Sequence, residues 1–494
     1  MIFFVLIVVL LIWVIQKLWK MRRILTLSIK LRNKYLALPI IGHGLMFLGT
    51  DEGTLFMPKI NCILKLSKPI VFLVFLDDQR IKLYFFLFST VTCDPDIAGV
   101  VSKTSLEKPE DFRKCTRHLM GNGSIFAPVH IWRPRRKILA STFLPRNLNR
   151  FIDIFGEQSM IMISCLKSKV GKGTFSIWNH ITSYNMDSIC QTAIGVEMNS
   201  QTQTWHPFLA AFDKYCKLVS SRVVQPWLYW NALYKQLPYY REIQLQRKII
   251  HNFVDGVFKT KAQIETFLDL LLKSSGGADG YSDLEIREEM LVLMLAGTDT
   301  SAVGVSFTIV MLSRHPRVQE RAYEEVREIF GDSERPVTLE DLARLKYVDA
   351  IIRETLRLYP PVPIIVREND EDIKLSSEIT LPAGTGTCIH IWGLHRNPKY
   401  WGADAEEFNP DRFLNESVTP GAAYMPFSYG ARNCLGYKYA MMSMKVVVTT
   451  LLRHYKVLPP SGLSTEELRK PLRVEFCIMM KDVDNFKVRL EHRN

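Results

Sequence analysis

Nine cysteines are scattered through this 494-residue chain, and one of them, Cys434, sits in a setting suited to chemistry. It lies in Phe427-Ser-Tyr-Gly-Ala-Arg-Asn-Cys434-Leu-Gly436. Glycines at 430 and 436 flank it, and an apolar run from Tyr437 to Leu452 follows with no proline or glycine. That pattern predicts a thiol where a loop enters a helix, where outward-pointing backbone N–H groups favour thiolate. Gly430 supplies a turn that few other residues could make, and Gly436 lets a large flat group approach the backbone. Arg432 places a cation two residues before the sulfur, suited to an anionic group at the edge of such a ligand. A lone cysteine is most often a small buried hydrophobe. With no CxxC partner, a thiolate presented this way suits a haem iron better than zinc.

Three further clusters stand out. Ile286 to His315 reads as a long apolar helix ending before Pro316, and it contains Ala296-Gly-Thr-Asp-Thr-Ser301. Such a polar run is costly in an apolar helix unless it is used, although threonine hydroxyls can bond the preceding turn. Glu354 and Arg357 share one side of a helix stopped by Pro360-Pro361, with Phe408-Asn-Pro-Asp-Arg412-Phe413 downstream. Trp132-Arg-Pro-Arg-Arg136 reads as a helix start with Trp132 and Arg136 on one face. Cys388, His390 and His395 lack the fourth ligand and closing spacing of a metal site and read as satisfied polar residues.

Together these motifs resemble the cytochrome P-450 family. The haem-binding loop Phe-x-x-Gly-x-Arg-x-Cys-x-Gly is filled at each fixed position by Phe427, Gly430, Arg432, Cys434 and Gly436. Residues 296–301 resemble the oxygen-activation motif, and the resemblance is to the microsomal insect and fatty-acid omega-hydroxylase clan. It implies that Cys434 is the axial ligand of heme b, whose thiolate pushes electron density onto iron and favours O–O cleavage. It implies that Trp132, Arg136 and Arg367 reach haem propionates and that Ala296 and Gly297 leave room for dioxygen and substrate. Asp299 and Thr300 would relay protons, and Glu354, Arg357 and Arg412 would form a buried structural triad. In the omega-hydroxylase branch an acid before the glycine can esterify the haem. Ala296 stands there, so the haem is expected to be held without that bond.

The implied reaction inserts one oxygen atom from O2 into an apolar small molecule such as a fatty acid, hormone, terpenoid or xenobiotic. Electrons would come from NADPH through a membrane-bound cytochrome reductase, with cytochrome b5 as a further donor, because no flavin or dinucleotide fingerprint appears. Two rivals remain. One is a haem-thiolate isomerase or dehydratase acting on a peroxide; the other is a non-catalytic haem-binding member.

The rest of the chain must position these groups. The expected fold is mainly α with small β-sheets, a triangular prism carrying an N-terminal single-pass anchor. Residues 1–20 read as that anchor: the chain is apolar from Met1 to Ile15, and Trp13 and Trp19 suit an interface. Seven basic residues precede the first acid, Asp51, so the catalytic body is expected to face the cytosol from the endoplasmic reticulum membrane. Residues 21–50 read as a basic linker and proline hinge. No linker divides the chain beyond residue 50, and 51–494 reads as one catalytic domain.

Unpaired cysteines fit a reducing compartment, which would leave the sequons at Asn122 and Asn415 unused. The net charge of +13 points to acidic partners, and the absence of a basic tract argues against nucleic acid. First strands are expected over 70–97, successive helices over 150–273, and a short antiparallel sheet pairing Val366-Arg367 with 381–385. The apolar stretch 81–91 looks like an insertion. The aromatic-rich segment 216–260 corresponds in the family to a lid over the substrate channel.

Overall fold

The computed structural model describes residues 12, 16, 19, 22–23, 70–71, 90–203, 206–224, 228, 231–259, 281–377, 379–414 and 421–493. The anchor and linker expected over 1–50 lie outside the described residues apart from isolated positions. So do the stretch 81–89, Trp227, Tyr229, Trp230, the apolar run 267–272 and Asn415.

Eleven helices of ten or more residues dominate what is described: α1 Pro95–Thr104, α2 Glu110–Met120, α3 Val129–Thr142, α4 Ile152–Leu166, α5 Trp178–Ile189, α6 Pro207–Val224, α7 Pro238–Lys259, α8 Asp283–Arg314, α9 Pro316–Phe330, α10 Lys346–Leu358 and α11 Tyr437–His454. Strands β1 Ile70–Val71, β2 Thr90–Thr92, β4 Ile364–Glu368 and β7 Gly386–His390 form one sheet in the order β1-β2-β7-β4. β3 Phe175–Ser176 and β8 Tyr455–Leu458 flank β11 Lys487–His492. β9 Val474–Cys477 and β10 Met479–Asp482 make a hairpin, as do β5 Ile373–Lys374 and β6 Thr380–Leu381. The mostly helical body with small sheets is the expected fold.

α8 is the axis of the molecule. It begins three residues before the apolar run does, because Ser282 caps it. The Ser282 hydroxyl accepts from the Glu285 N–H, while the Glu285 carboxylate accepts from the Ser282 N–H at 2.8 Å. The helix is long and apolar enough to cross a membrane, yet 78% of its most apolar window is buried inside the protein. Its apolar side chains join one buried cluster that runs from Val91 to Leu490. Phe307 stacks on Tyr359 of the segment after α10 at 4.8 Å and meets Phe486 edge-on at 4.9 Å.

Two local expectations need correction. Trp132 does not begin its helix: α3 starts at Val129, after Pro128, where Glu107 accepts the Val129 N–H at 2.8 Å. Pro134 is therefore an interior proline. Val366 and Arg367 do form an antiparallel pair, but with Cys388 and Thr387 of β7. Leu381 pairs with Ile373, because the turn at Pro382–Thr385 with Gly384 at φ +77° separates it from β7. Within the helices expected over 150–273, α5 passes into a π turn over Cys190–Ile194 before Gly195 ends it in a left-handed conformation.

Candidate active site

The loop before α11 is held by its own backbone. The Cys434 N–H donates to the Phe427 carbonyl at 2.8 Å, and the Asn433 N–H donates to Gly430 at 3.1 Å. Gly430 has φ +73°, and a Cβ there would lie 2.4 Å from the Ser102 carbonyl oxygen, so only glycine fits. Gly436 caps α11 at an ordinary φ of −86°, and a Cβ on it would make only normal contact with Phe143 at 3.5 Å.

Cys434 is solvent-exposed at the end of the loop. Burial pushes its thiol up from the usual value, while the Gly436 N–H and the Arg136 guanidinium pull it down. Burial is the larger effect. A bound metal cation would favour the thiolate.

Beside this loop lies a knot of cations. Arg432 donates to the carbonyls of Leu106 at 3.1 Å, Ser124 at 3.3 Å and Ala127 at 2.8 Å, with its guanidinium 4.0 Å over the Trp132 ring. Burial, with Arg367 nearby, holds its pKa down to about 9. Arg367 is only 3% exposed, bonds its own strand's Val366 carbonyl and reaches Ser428 Oγ at 3.3 Å. Its Nε has no acceptor among the described residues. Lys108 reaches the Ile125 carbonyl, and burial plus the charges of Arg367 and Arg432 drive its pKa well down. No carboxylate lies within ion-pair distance of these three among the described residues. Clustered cations with an orphaned donor are suited to a bound anion.

Trp132 and Arg136 take different places. Trp132 stacks under Arg432, whereas Arg136 donates to the carbonyl and the side-chain oxygen of Asn433 and stands next to Cys434.

Between Leu293 and Val310 of α8, four residues are only partly buried: Leu293, Ala296, Gly297 and Thr300. Their spacing of i, i+3, i+4, i+7 makes one face of the helix, an open stripe on an otherwise enclosed rod. The Thr300 hydroxyl donates to the Ala296 carbonyl one turn back. A Cβ on Gly297 would come within 2.8 Å of Ile189 Cδ1, so this glycine sets the approach of α8 to α5. Asp299 points off the stripe into the protein, is 3% exposed and lies 3.7 Å from the Lys481 ammonium.

Behind the loop, Glu354 and Arg357 are fully buried and joined by two bonds of 2.7 Å. Arg357 also donates to the carbonyls of His395 at 2.8 Å, Ala405 at 2.6 Å and Glu407 at 2.9 Å. Glu354 accepts the Asn409 N–H at 2.8 Å, and Arg412 stands 3.5 Å from it while bonding the carbonyls of Trp401 and Asp404. His395, passed over in the sequence, completes this network. Lys108, Asp213 and Lys481 also carried no signal, since each lies in an unremarkable local pattern. His390 is buried on β7, and neither ring nitrogen has a partner among the described residues. No group of three metal-ligating side chains occurs among the described residues.

A single exposed thiol at the start of a helix, a cationic knot suited to propionates and a helix with one open face fit a haem. Fold and site together define a haem-thiolate protein. The match to known proteins makes this specific. Residues 89–479 match the family model described as Cytochrome P450. The chain is 32% identical to cytochrome P450 4c21 of Blattella germanica, covering 85% of this chain and 86% of that protein. It is 34% identical to cytochrome P450 4d2 of Drosophila melanogaster, covering 76% and 79%, and 31% identical to cytochrome P450 4V2 of Homo sapiens, covering 76% and 74%. The chain belongs to the cytochrome P450 family. It is a monooxygenase that carries heme b with a cysteine thiolate on the iron, and its insect and human family-4 relatives agree with the clan expected from the motifs.

Proposed function

We propose that this enzyme is anchored in the endoplasmic reticulum membrane by residues 1–20, with 21–50 as a basic linker and 51–494 as a cytosolic catalytic domain. It takes electrons from NADPH through a flavoprotein reductase, with cytochrome b5 as an accessory donor, and inserts one atom of O2 into an apolar small molecule. When bound, the haem supplies oxygen activation through its thiolate-ligated iron. The protein's residues do the rest. Cys434 ligates the iron. Arg367, Arg432 and Lys108 neutralise the anionic edge, with Trp132 stacked against Arg432. Arg136 secures the Cys434 loop through Asn433. Glu354, Arg357 and Arg412 hold the wall behind that loop. Ala296 offers no carboxylate for a haem ester. The open stripe Leu293–Thr300 lines the space for substrate, and Thr300 orders water there while Asp299 supplies protons.

The observation that carries this reading is the stripe itself, with Thr300 on the open face and a buried acid as its neighbour. The test is turnover of the full-length holoprotein with reductase, NADPH and a panel of fatty acids, hormones, terpenoids and plant toxins. Thr300→Ala is expected to keep haem and substrate binding, to go on consuming NADPH, and to yield less product and more hydrogen peroxide per NADPH. Unchanged coupling in that variant would remove Thr300 from proton delivery. Rearrangement of a hydroperoxide with no NADPH requirement would favour an isomerase or dehydratase.

A further inference from the structure

Four charged side chains form a line from the surface to α8. Lys217 and Asp213 lie one turn apart on α6, 3.2 Å from each other, with side chains 55% and 25% exposed. Asp213 pairs in turn with the Lys481 ammonium of β10, which reaches Asp299 at 3.7 Å. The last two are 6% and 5% exposed. Exposure falls steadily inward.

The charges do not balance at the inner end. One ammonium has two carboxylates within ion-pair distance among the described residues, and it sits closer to Asp213. Asp299 Oδ2 is left buried without a hydrogen-bond partner among the described residues. The groups facing Lys481 are Asp213 and Cys216 from α6, Asp299 from α8, and Cys477 and the directly paired cross-strand neighbour Glu475 from β9, with the Trp178 ring of α5 at 4.5 Å. An unpaired buried carboxylate favours protonation, whereas a cation drawn up to it favours the ion. The same ammonium is therefore poised to choose between the two acids.

The place of Asp213 gives this choice a handle. α6 is also fastened to the hairpin by Ser220, whose hydroxyl donates to the Phe476 carbonyl of β9 at 2.5 Å. A shift of α6 against the β9–β10 hairpin would change how far Asp213 competes for Lys481.

We propose that Lys481 is a positioning residue that divides its charge between Asp213 and Asp299 and so sets whether Asp299 carries the proton needed beside Thr300. With Lys481 on Asp213, Asp299 holds a proton. Delivery of that proton leaves a carboxylate, which draws Lys481 over until a proton from bulk solvent, relayed by water along the Lys217–Asp213 side, reprotonates Asp299. This rests on the monooxygenase reading for its purpose but not for its measurement.

Asp299 is followed by the infrared carbonyl stretch of a protonated carboxyl that disappears in Asp299→Asn. Its pH midpoint is recorded in the holoprotein without turnover. Lys481→Met is expected to raise that midpoint by about 1–3 pH units, and Asp213→Asn to lower it, because the freed ammonium moves to Asp299. Lys481→Arg should restore a value near the parent. Two neutralising substitutions with opposite effects are not the signature of a loosened structure. Product per NADPH should fall in both while the reduced CO spectrum stays of the thiolate type. Midpoints that move together, or do not move, in haem-loaded variants would overturn the proposal. Should Lys481→Met fail to fold, the half-buried Asp213→Asn decides alone. Opposite shifts in a protein with no NADPH-driven product would keep the Lys481 assignment and overturn the monooxygenase reading.

Discussion

Arg357 and His395 hold each other through their main chains. The Arg357 guanidinium donates to the His395 carbonyl at 2.8 Å, and His395 Nδ1 lies 3.1 Å from the Arg357 carbonyl. His395 Nε2 accepts the Met425 N–H at 2.9 Å, two residues before Phe427. One imidazole thus ties α10 to the entrance of the cysteine loop, as a donor on one nitrogen and an acceptor on the other.

That arrangement requires neutral imidazole. Burial, with Arg357 and Arg396 nearby, brings the His395 pKa down to about 3, and burial brings His390 to about 3 as well. The unfolded chain protonates them near pH 6.5, so it binds more protons between pH 6.5 and 3. Stability from these residues is complete above 6.5 and is lost as pH falls toward 3, at about 1.4 kcal/mol per pH unit for each. Urea midpoints at pH 7, 6 and 5 should drop steadily, and His395→Gln should flatten that slope. An unchanged slope would show that His395 does not contribute to the acid sensitivity.

The two glycines of the loop should behave differently. Gly430→Ala must distort a left-handed turn pressed on Ser102 O, at a cost of about 1–3 kcal/mol from strain, with loss of haem. Gly436→Ala meets only Phe143 at 3.5 Å, so the fold should keep its stability while haem retention falls. Thermal unfolding and haem content, measured on both, separate the two effects. Equal haem retention in Gly436→Ala and the parent would mean that the haem does not approach this backbone.

Glu354→Ala should abolish the folded, haem-loaded protein. It strands a fully buried guanidinium, and breaking a buried pair costs about 3–5 kcal/mol of a total of about 5–15 kcal/mol. Arg412→Ala should be milder, because Arg357 still satisfies Glu354 through both oxygens. The yield of haem-loaded protein checks the order, which would be reversed if Arg412 were the main partner.

Gly297→Ala tests whether this glycine serves packing. Its Cβ would meet Ile189 Cδ1 at 2.8 Å, and overpacking costs about 1–3 kcal/mol. Adding Ile189→Ala should return part of that loss, with a coupling of at least about 0.5 kcal/mol in a double-mutant cycle. Strict additivity would move the role of Gly297 to the open face of α8.

The cysteine loop and the acid–arginine pair were readable because their residues lie within ten positions of one another and each demands a particular chemistry. α8 was readable from its apolar length. Lys481 was not, since its partner Asp213 is 268 positions away and neither stands in a recognisable run. His395 was read as a satisfied polar residue, which it is, but its partners could not be named because the contact that uses it joins positions 38 apart. Strand partners failed for a related reason: Val366 and Arg367 could have paired with either of two neighbouring extended runs. Only the turn at Gly384 decides which.

Arg357 grips the segment from 395 to 407 by three carbonyl oxygens, and Glu354 takes an amide N–H at 409. Any residue supplies such a carbonyl, and any but proline supplies the amide. Genetic drift at Ala405 and Glu407 should therefore pass largely unnoticed by the arginine, provided the chain keeps its path. Loss or gain of one residue between 396 and 404 would instead put the Ala405 and Glu407 carbonyls out of register with a guanidinium still held at His395. Homologous enzymes are accordingly expected to differ freely at 405 and 407 while keeping the length of this segment.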